Sequence, residues 1–363
     1  VITVNTLRNL KACRNQVVLF QEFLGNREGV EPTAEVVREA ALYGLDVRWA
    51  QYRGLLTIPD GLLTYKNGSK EWRLNGQLHR EDGPAIEWAD GRKEWYSNGK
   101  LHRVDGPAVE GSNGPTEWWV HGRRHREDGP AVEYADGSTE WYFQGQRHRE
   151  CGPAVEGSNG HKEWWINGQR HREDGPAIEW TDGSREWYLN GQRHREEGPA
   201  VERADGSREW WVHYQLHREA GPAVERDNGH KEWWLYGQLH REDGPAVEWA
   251  DGSREWYLNG QLHRDDGPAV TKPNGTKEWY LDGRRHRDDG PAIEWSTGRQ
   301  WWWVNGKRHR VDGPAIEYAG GTREWYLHGQ RHRKDGPAVE GADGRKEWWT
   351  QGQYIRTEEG TVQ

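Results

Sequence analysis

The 363-residue chain contains no methionine and two cysteines, Cys13 and Cys151, far apart in sequence. So little cysteine argues against a disulfide framework and points to free thiols in a reducing compartment. No apolar run approaches the roughly 20 residues of a membrane helix, and Val1 to Phe20 is too polar for a secretory signal. The expectation is a cytoplasmic protein with no membrane span, and the missing Met at position 1 suggests a trimmed start. Hydrophobic residues make up 33% of the chain and mean hydropathy is -1.17, too little for one large core. Charge of neither sign dominates, because 50 basic and 59 acidic residues are interleaved to a net of -9. That removes the basic footprint of a nucleic-acid binder. Phosphate loops, nucleophile elbows and paired zinc motifs are also missing, so no cofactor is expected.

Aromatic rings are abundant instead, with 25 Trp and 14 Tyr, a content disordered segments do not carry. Their placement follows a 23-residue period, clearest in REWYLNGQLHRDDGPAV from Arg254 to Val270. Twelve His-Arg dipeptides, beginning at His79, His102, His125 and His148 and ending at His332, keep that spacing without a slip. A fixed period overrides the two-domain expectation from length, since each unit leans only on its neighbours. The chain reads as a helical N-terminal cap or docking domain (1–55), twelve β repeats (56–350) and a degenerate C-terminal cap (351–363). In that last segment Tyr354-Ile355-Arg356 lacks both the His and the Gly-Pro.

In the first segment Asn5 or Thr6 is placed to cap a short helix, and Asn15 to Leu24 has helical spacing. Ala34 to Tyr43 forms a clearer helix, with Thr33 to cap it, Glu35 in its first turn and Gly44 to stop it. Val36 rules out a capping box there. A last short helix covers about Asp46 to Tyr52. Covering the first open strand edge is the expected role of these helices; docking a partner is the alternative.

From Leu56 the pattern becomes strand-like, punctuated by Asp90-Gly91 and Asn98-Gly99 and their equivalents. A two-residue type I′ turn at Asn98-Gly99 sets Trp95 against His102 and Glu94 against Arg103, and likewise Glu117 against Arg126 and Glu255 against Arg264. At Asp90-Gly91 a two-residue turn would oppose Glu87 to Glu94. A three-residue loop closed by a left-handed Gly opposes Glu87 to Lys93 and Glu248 to Arg254, which predicts a G1 bulge. These registers put Ala85, Glu87, Lys93, Trp95 and His102 on one face, and Ile86, Trp88, Glu94, Tyr96, Leu101 and Arg103 on the other. Copied along the chain they give ladders: Trp95, Trp118 and Trp141; His102, His125 and His148; Glu94 with Arg103. The segment REDGPA, as at Arg80 to Ala85, is either a kink in one long strand or a turn, giving two or three strands per copy.

The run W-x-x-N-G-x-x-H, as at Trp95 to His102, with an aromatic just before Asp-Gly, resembles MORN-type repeats over roughly Leu63 to Thr350. The resemblance implies successive hairpins in a twisted, single-layer antiparallel sheet. The chain departs from it after the His, where His-Arg-Glu-Asp-Gly-Pro stands in place of Gly-x-Gly. The fold class expected is therefore mainly β: an antiparallel hairpin array, either open or curled into a trough, solenoid or closed barrel, capped by a small helical domain.

One regularity argues for curling. Where the residue after the Val-Glu or Ile-Glu pair is aromatic, as at Trp88, Tyr134, Trp249 and Tyr318, the position eight further on is Tyr. Where it is Gly or Arg, as at Gly111, Gly157, Arg203 and Arg226, that position is Trp; Lys272 with Tyr280 and Trp295 with Trp303 break the rule. Such exchange predicts one shared, filled space, although a flat register puts the two side chains about 13 Å apart.

Histidines about 10 Å apart in successive copies cannot share a metal, and an acid-base pair such as His79 with Glu81 copied twelve times reads as structure rather than catalysis. Departures from the unit are where specificity is sought. Trp301 replaces the expected Glu, making Trp301-Trp302-Trp303 with Arg310 opposite Trp301 as a cation-π partner; this is the candidate binding surface, and local packing is its plain alternative. The function expected is a non-enzymatic scaffold for protein partners. A glycan-binding protein using exposed Trp, or a hydrolase with a non-repeated site, are the alternatives.

Overall fold

The computed structural model describes residues 1–360, so the last three residues of the expected C-terminal cap, 361–363, lie outside the described residues. The chain divides into two compact units, Val1–Glu173 with Ala177–Thr181, and Asp174–Pro176 with Asp182–Gln363.

The first unit opens with four helices: α1 Val4–Asn9, α2 Arg14–Leu24, α3 Ala34–Tyr43 and α4 Val47–Tyr52. Thr3, rather than Asn5 or Thr6, caps α1, in a reciprocal box with Thr6. Thr33 caps α3 as expected, accepting from Val36 N, and Asp46 caps α4, accepting from Trp49 N. Gly44 ends α3 in the left-handed region. The helices share one apolar core with Ile58 and Leu63 at the start of the β segment. Of the helices, α3 packs beside the first strand, Gly61–Thr64. Arg38 donates to the carbonyls of Asp60 and Leu62, and Lys66 N donates to Ala41 O. Within the strand itself, the Leu62 carbonyl is thereby taken from any further pairing.

The rest of the fold is β. In the first unit a meander of antiparallel short strands runs from Gly61–Thr64 through Lys70–Leu74, Ile86–Glu87 and Lys93–Glu94 to Ile178–Glu179. The second unit repeats the pattern from Arg185–Glu186 to the closing hairpin of Lys346–Thr350 with Gln353–Glu358. In neither unit is the first strand paired with the last among the described residues.

Each copy between the first and the last contributes four two-residue strands, not the two or three expected. The chain turns a corner at Trp95. Its N–H donates to Ala108 O at 2.8 Å, continuing the meander, while its carbonyl accepts from His102 N at 3.0 Å, opening a separate hairpin of Tyr96–Ser97 with Lys100–Leu101. Arg103 to Pro107 is a turn, and Ala108 re-enters the meander. Proline suits the last position of that turn because no ladder bond is asked of it.

Both turns of the hairpin reading are present. Asn98 and Gly99 have φ of 50° and 73°, the pair of left-handed residues a type I′ turn needs. At the other turn Trp88 N donates to Arg92 O, Gly91 sits at φ 91°, and Glu87 faces Lys93. Asp90 Oδ1 accepts from Arg92 N, which explains the acidic residue before that Gly.

The core is thin. Each copy buries one Ala completely, such as Ala85, Ala108 and Ala131, and in most copies the Val or Ile beside it, such as Ile86 and Val132. Adjacent residues on a strand face opposite ways, so the buried Ala and its Val or Ile neighbour lie on opposite faces of the antiparallel hairpin sheet, which is of the kind expected. One Val or Ile contributes about 1.5 to 3 kcal/mol; polar contacts supply the remaining specificity.

Candidate functional site

Three polar devices recur along the array, the third in every copy but the one containing Trp301, and they account for most of the repeated residues. The first is a clamp on Trp. The Arg103 guanidinium lies 4.1 Å from the Trp95 ring centroid, and the same pair, eight residues apart, recurs at Trp118–Arg126 and Trp141–Arg149 at 4.0 Å and as far as Trp348–Arg356 at 4.2 Å. Arg103 Nη1 also donates to Pro107 O at 3.1 Å and Glu110 Oε1 at 2.8 Å. A Cβ on Gly106 would stand 3.0 Å from Arg103 Cζ, and one on Gly129 would stand 2.5 Å from Arg126 Cζ. The His-Arg-x-Asp-Gly-Pro run is thus a seat for one guanidinium: Trp below, Gly above, and the Pro carbonyl at its end.

This corrects the expected charge rungs. Glu94 does not pair with Arg103, nor Glu117 with Arg126, nor Glu255 with Arg264. Arg126 takes Glu133 at 2.9 Å and Arg264 takes Asp266 at 2.9 Å. The corner at Trp95 is the cause: beyond His102 the chain leaves its hairpin partner, and Arg103 N donates to Trp119 O of the next copy. The Trp95–His102 backbone pair does form, yet the group that covers the indole is Arg103. Arg103 therefore leaves the face assigned to it and joins that of Trp95.

The second device links copies. His102 Nδ1 accepts the backbone N–H of His121, the first residue of the next I′ turn, at 3.1 Å; His125 accepts from Gln144 and His148 from Asn167 at the same distance. Nδ1 can accept only in the neutral ring with its proton on Nε2. The rings also pack on those turn residues, His102 on His121 at 4.4 Å and His217 on Tyr236 at 4.4 Å. The histidine ladder is therefore a set of turn clamps. Among the described residues no group of three or more His, Cys, Asp or Glu is placed to hold a metal ion.

The third device is a carboxylate node. Glu94 Oε1 accepts from Trp88 Nε1 at 3.0 Å and its Oε2 from Tyr96 Oη at 2.9 Å. Glu140 takes Tyr134 and Tyr142, and Glu255 takes Trp249 and Tyr257. Where the first aromatic is replaced, other donors fill its side: His161 on Glu163, and Arg226 on Glu209, with Trp165 and Trp211 on the second oxygen. The correlated aromatics share a carboxylate, not a volume, and they need not touch. Burial works to raise the Glu140 carboxyl, but bonds from Tyr142, Arg147 and Tyr134 outweigh it and hold the group below its ordinary range. Burial, and then the adjacent Glu94 charge, push the Tyr96 hydroxyl up. At the start of the array Arg48 of α4 enters the same kind of node. It lies 2.6 Å from Glu71, which is fully buried, and stacks on Tyr65 and Trp88.

The candidate surface at Trp301-Trp302-Trp303 is where this node fails. Arg310 is not the partner of Trp301; it clamps Trp302 at 4.0 Å and donates to Pro314 O and Glu317, as Arg103 does to Pro107 O and Glu110. Trp301 packs edge-on to Trp295 at 4.7 Å, with the guanidinium carbons of Arg299 and Arg308 at 5.4 and 5.1 Å from its ring. The aromatic exchange rule breaks at Trp295 and Trp303 because the carboxylate that links the two positions is missing.

Sequence reasoning found Trp301, Trp302 and Trp303 but missed Arg299 and Arg308. The signal available was that the positions around each Glu carry Trp or Tyr and not Phe, which marks them as hydrogen-bond donors. No protein-family model and no curated protein matches this chain.

Proposed function

We propose that the chain is a non-enzymatic repeat scaffold that presents an extended surface to protein partners. The observation that carries this reading is that the repeated His, Arg and Glu are committed to clamps within and between copies, as at His102, Arg103 and Glu94. A group already spent on holding the array is a poor candidate for turnover. Open grooves between copies, lined by Arg126, Trp141, Phe143 and His148 in the first unit and by Arg264, Trp279 and His286 in the second, supply repeated contact surface. The array is a MORN-like variant, in keeping with its hairpin repeat and the W-x-x-N-G-x-x-H run. It works in the cytoplasm, where the exposed Cys13 and Cys151 remain thiols, and no described helix is long and apolar enough to cross a membrane.

A glycan partner is favoured by one feature, the exposure of Trp180 and Trp249, at 43% and 45%. The test is affinity capture with the intact chain beside titration of its Trp fluorescence with a glycan panel. A partner protein that is retained by the intact chain and lost on Trp180→Ala or Trp249→Ala supports the scaffold. A saturable fluorescence shift with one glycan, and no retained protein, replaces it with the glycan reading.

A further inference from the structure

We propose that the copy containing Trp301 is an anion site whose ligand is a carboxylate group. This does not depend on the scaffold reading.

The argument starts from the sister nodes. At Glu117, Trp119 Nε1 and Arg124 Nε both donate to Oε2, at 2.9 and 3.1 Å. At Glu94 the Arg92 guanidinium approaches Oε1 at 2.8 Å, and Arg345 approaches Glu347 in the same way at 3.4 Å. The equivalents of these donors in the Trp301 copy are Trp303, Arg308 and Arg299. All three are present, and the residue they would grip is an indole. Trp301 exchanges a pair of acceptors for one more donor.

The consequence is visible atom by atom. Trp301 Nε1, Trp303 Nε1, Arg299 Nε and Arg308 Nε are all buried and without a hydrogen-bond partner. Buried donors of this kind are normally satisfied. Here the Arg299 guanidinium carbon stands 5.4 Å from the Trp301 ring, and that of Arg308 stands 5.1 and 5.5 Å from the Trp301 and Trp303 rings, which points to an acceptor the four donors lack. Arg308 keeps one bond, from Nη1 to Tyr326 Oη at 3.3 Å, which leaves its Nε free. The carboxylates of the adjoining rows are engaged elsewhere: Glu294 with Arg287, Glu317 with Arg310, and Glu324 with Arg331. Two guanidinium charges therefore lie beside Trp301 with no ion pair of their own among the described residues.

The class of ligand follows from the donors. Trp303 and Arg308 stand where Trp119 Nε1 and Arg124 Nε hold the planar, two-oxygen, singly charged group of Glu117, and Arg299 stands where Arg92 approaches Glu94. Trp301 adds a second indole N–H, and a guanidinium matches the shape of a carboxylate well. A free small carboxylate and an Asp or Glu side chain of a partner share this chemistry.

The test is the thermal midpoint of the full chain in rising sodium acetate against sodium chloride at equal ionic strength, repeated with the capped peptide acetyl-Gly-Glu-Gly-amide. The expected result is a saturable rise for the natural chain that is lost in Arg308→Gln and in Trp301→Glu. The Trp301→Glu chain should start higher in chloride, because its own carboxylate fills the node. If that variant does not fold, Arg299→Gln takes its place beside Arg308→Gln. Saturation by the peptide at a lower concentration than acetate assigns the ligand to a partner's side chain; response to acetate alone assigns a small free carboxylate. No rise in the natural chain, or an equal rise in all variants, overturns the site, and a larger response to phosphate than to acetate overturns the carboxylate assignment.

Discussion

His102 Nδ1 accepts the backbone N–H of His121 at 3.1 Å, so one copy's imidazole completes the next copy's turn. The bond exists only while Nδ1 is unprotonated. Burial, and then the neighbouring His121, lower the His102 pKa, and burial and His328 do the same for His309. With the folded value below the unfolded value of about 6.5, the unfolded chain binds more protons between the two. The stability these rings contribute is complete above about pH 6.5 and is lost as pH falls through the lowered folded value. Urea midpoints followed from pH 8 to pH 5 should therefore fall, whereas a flat profile would show that the ring does not act as an acceptor.

The same bond can be removed without removing the ring. His102→Phe keeps a flat side chain to pack on His121 but offers no acceptor, and should cost about 1 kcal/mol, the net worth of an ordinary hydrogen bond. Its stability should also vary less with pH than that of the natural chain. A variant as stable as the parent at pH 8 would mean that packing alone holds the turn.

Gly129 and Arg126 form a tight steric pair, because a Cβ on Gly129 would meet the Arg126 guanidinium at 2.5 Å. Gly129→Ala should destabilise by about 1 to 3 kcal/mol through overpacking. Arg126→Ala alone loses the stack on Trp118, about 0.5 to 2 kcal/mol. In the double variant the clash is gone, so the two losses should fall short of adding, by about 0.5 to 3 kcal/mol of coupling. Additive losses would place the guanidinium elsewhere.

Much of this was legible in the residues. Left-handed backbone at Asn98-Gly99 and Gly91, and the conflict between Glu87 and Glu94, were enough to select both turns, since those constraints are local and steric. The corner at Trp95 was not legible, because a change of backbone direction between two extended residues demands no particular side chain. Every long-range reading that extended the hairpin register past it, Glu94 with Arg103 above all, failed for that reason. The aromatic exchange is plain in the residues, but its cause is a shared acceptor rather than a shared volume. Trp and Tyr have in common a polar hydrogen that Phe lacks, and this points to a shared acceptor, Glu94 in the first full copy. Trp301 stands out in the sequence as a departure, but its meaning follows only from the role of the Glu it replaces.

At the node of Glu140, Tyr142→Phe removes one donor from a carboxylate that keeps Tyr134 and Arg147. A hydrogen bond to a charged group is worth about 1.5 to 3 kcal/mol, and the surviving donors place the loss at the lower end. Glu140→Gln should cost more, since it takes the charge from Arg147 while its amide can satisfy only part of the set. The Glu140 pKa is lowered in the fold, so its contribution is present above the unfolded carboxylate value of about 4.3 and is lost as pH falls through the folded value. Acid titration of the natural chain should then show a second loss of stability below that of the histidines, and Glu140→Gln should reduce it.

Tyr214 stands where the other I′ turns have Gly. It holds φ at 68°, after His213 at 48°, and its side chain is 65% exposed. A left-handed conformation costs a residue with a Cβ about 1 to 2 kcal/mol, while glycine loses more chain entropy on folding, about 0.5 to 1 kcal/mol. Little packing is lost with so exposed a ring, so Tyr214→Gly should stabilise the chain by up to about 1 kcal/mol. The converse exchange, Gly99→Ala, should destabilise for conformational reasons alone, because a Cβ there would stand 3.6 Å from the Gln77 side chain, an ordinary contact. Urea midpoints of the two variants should move in opposite directions. If Tyr214→Gly lowers the midpoint instead, the tyrosine ring makes a contact worth more than the strain it imposes on its turn.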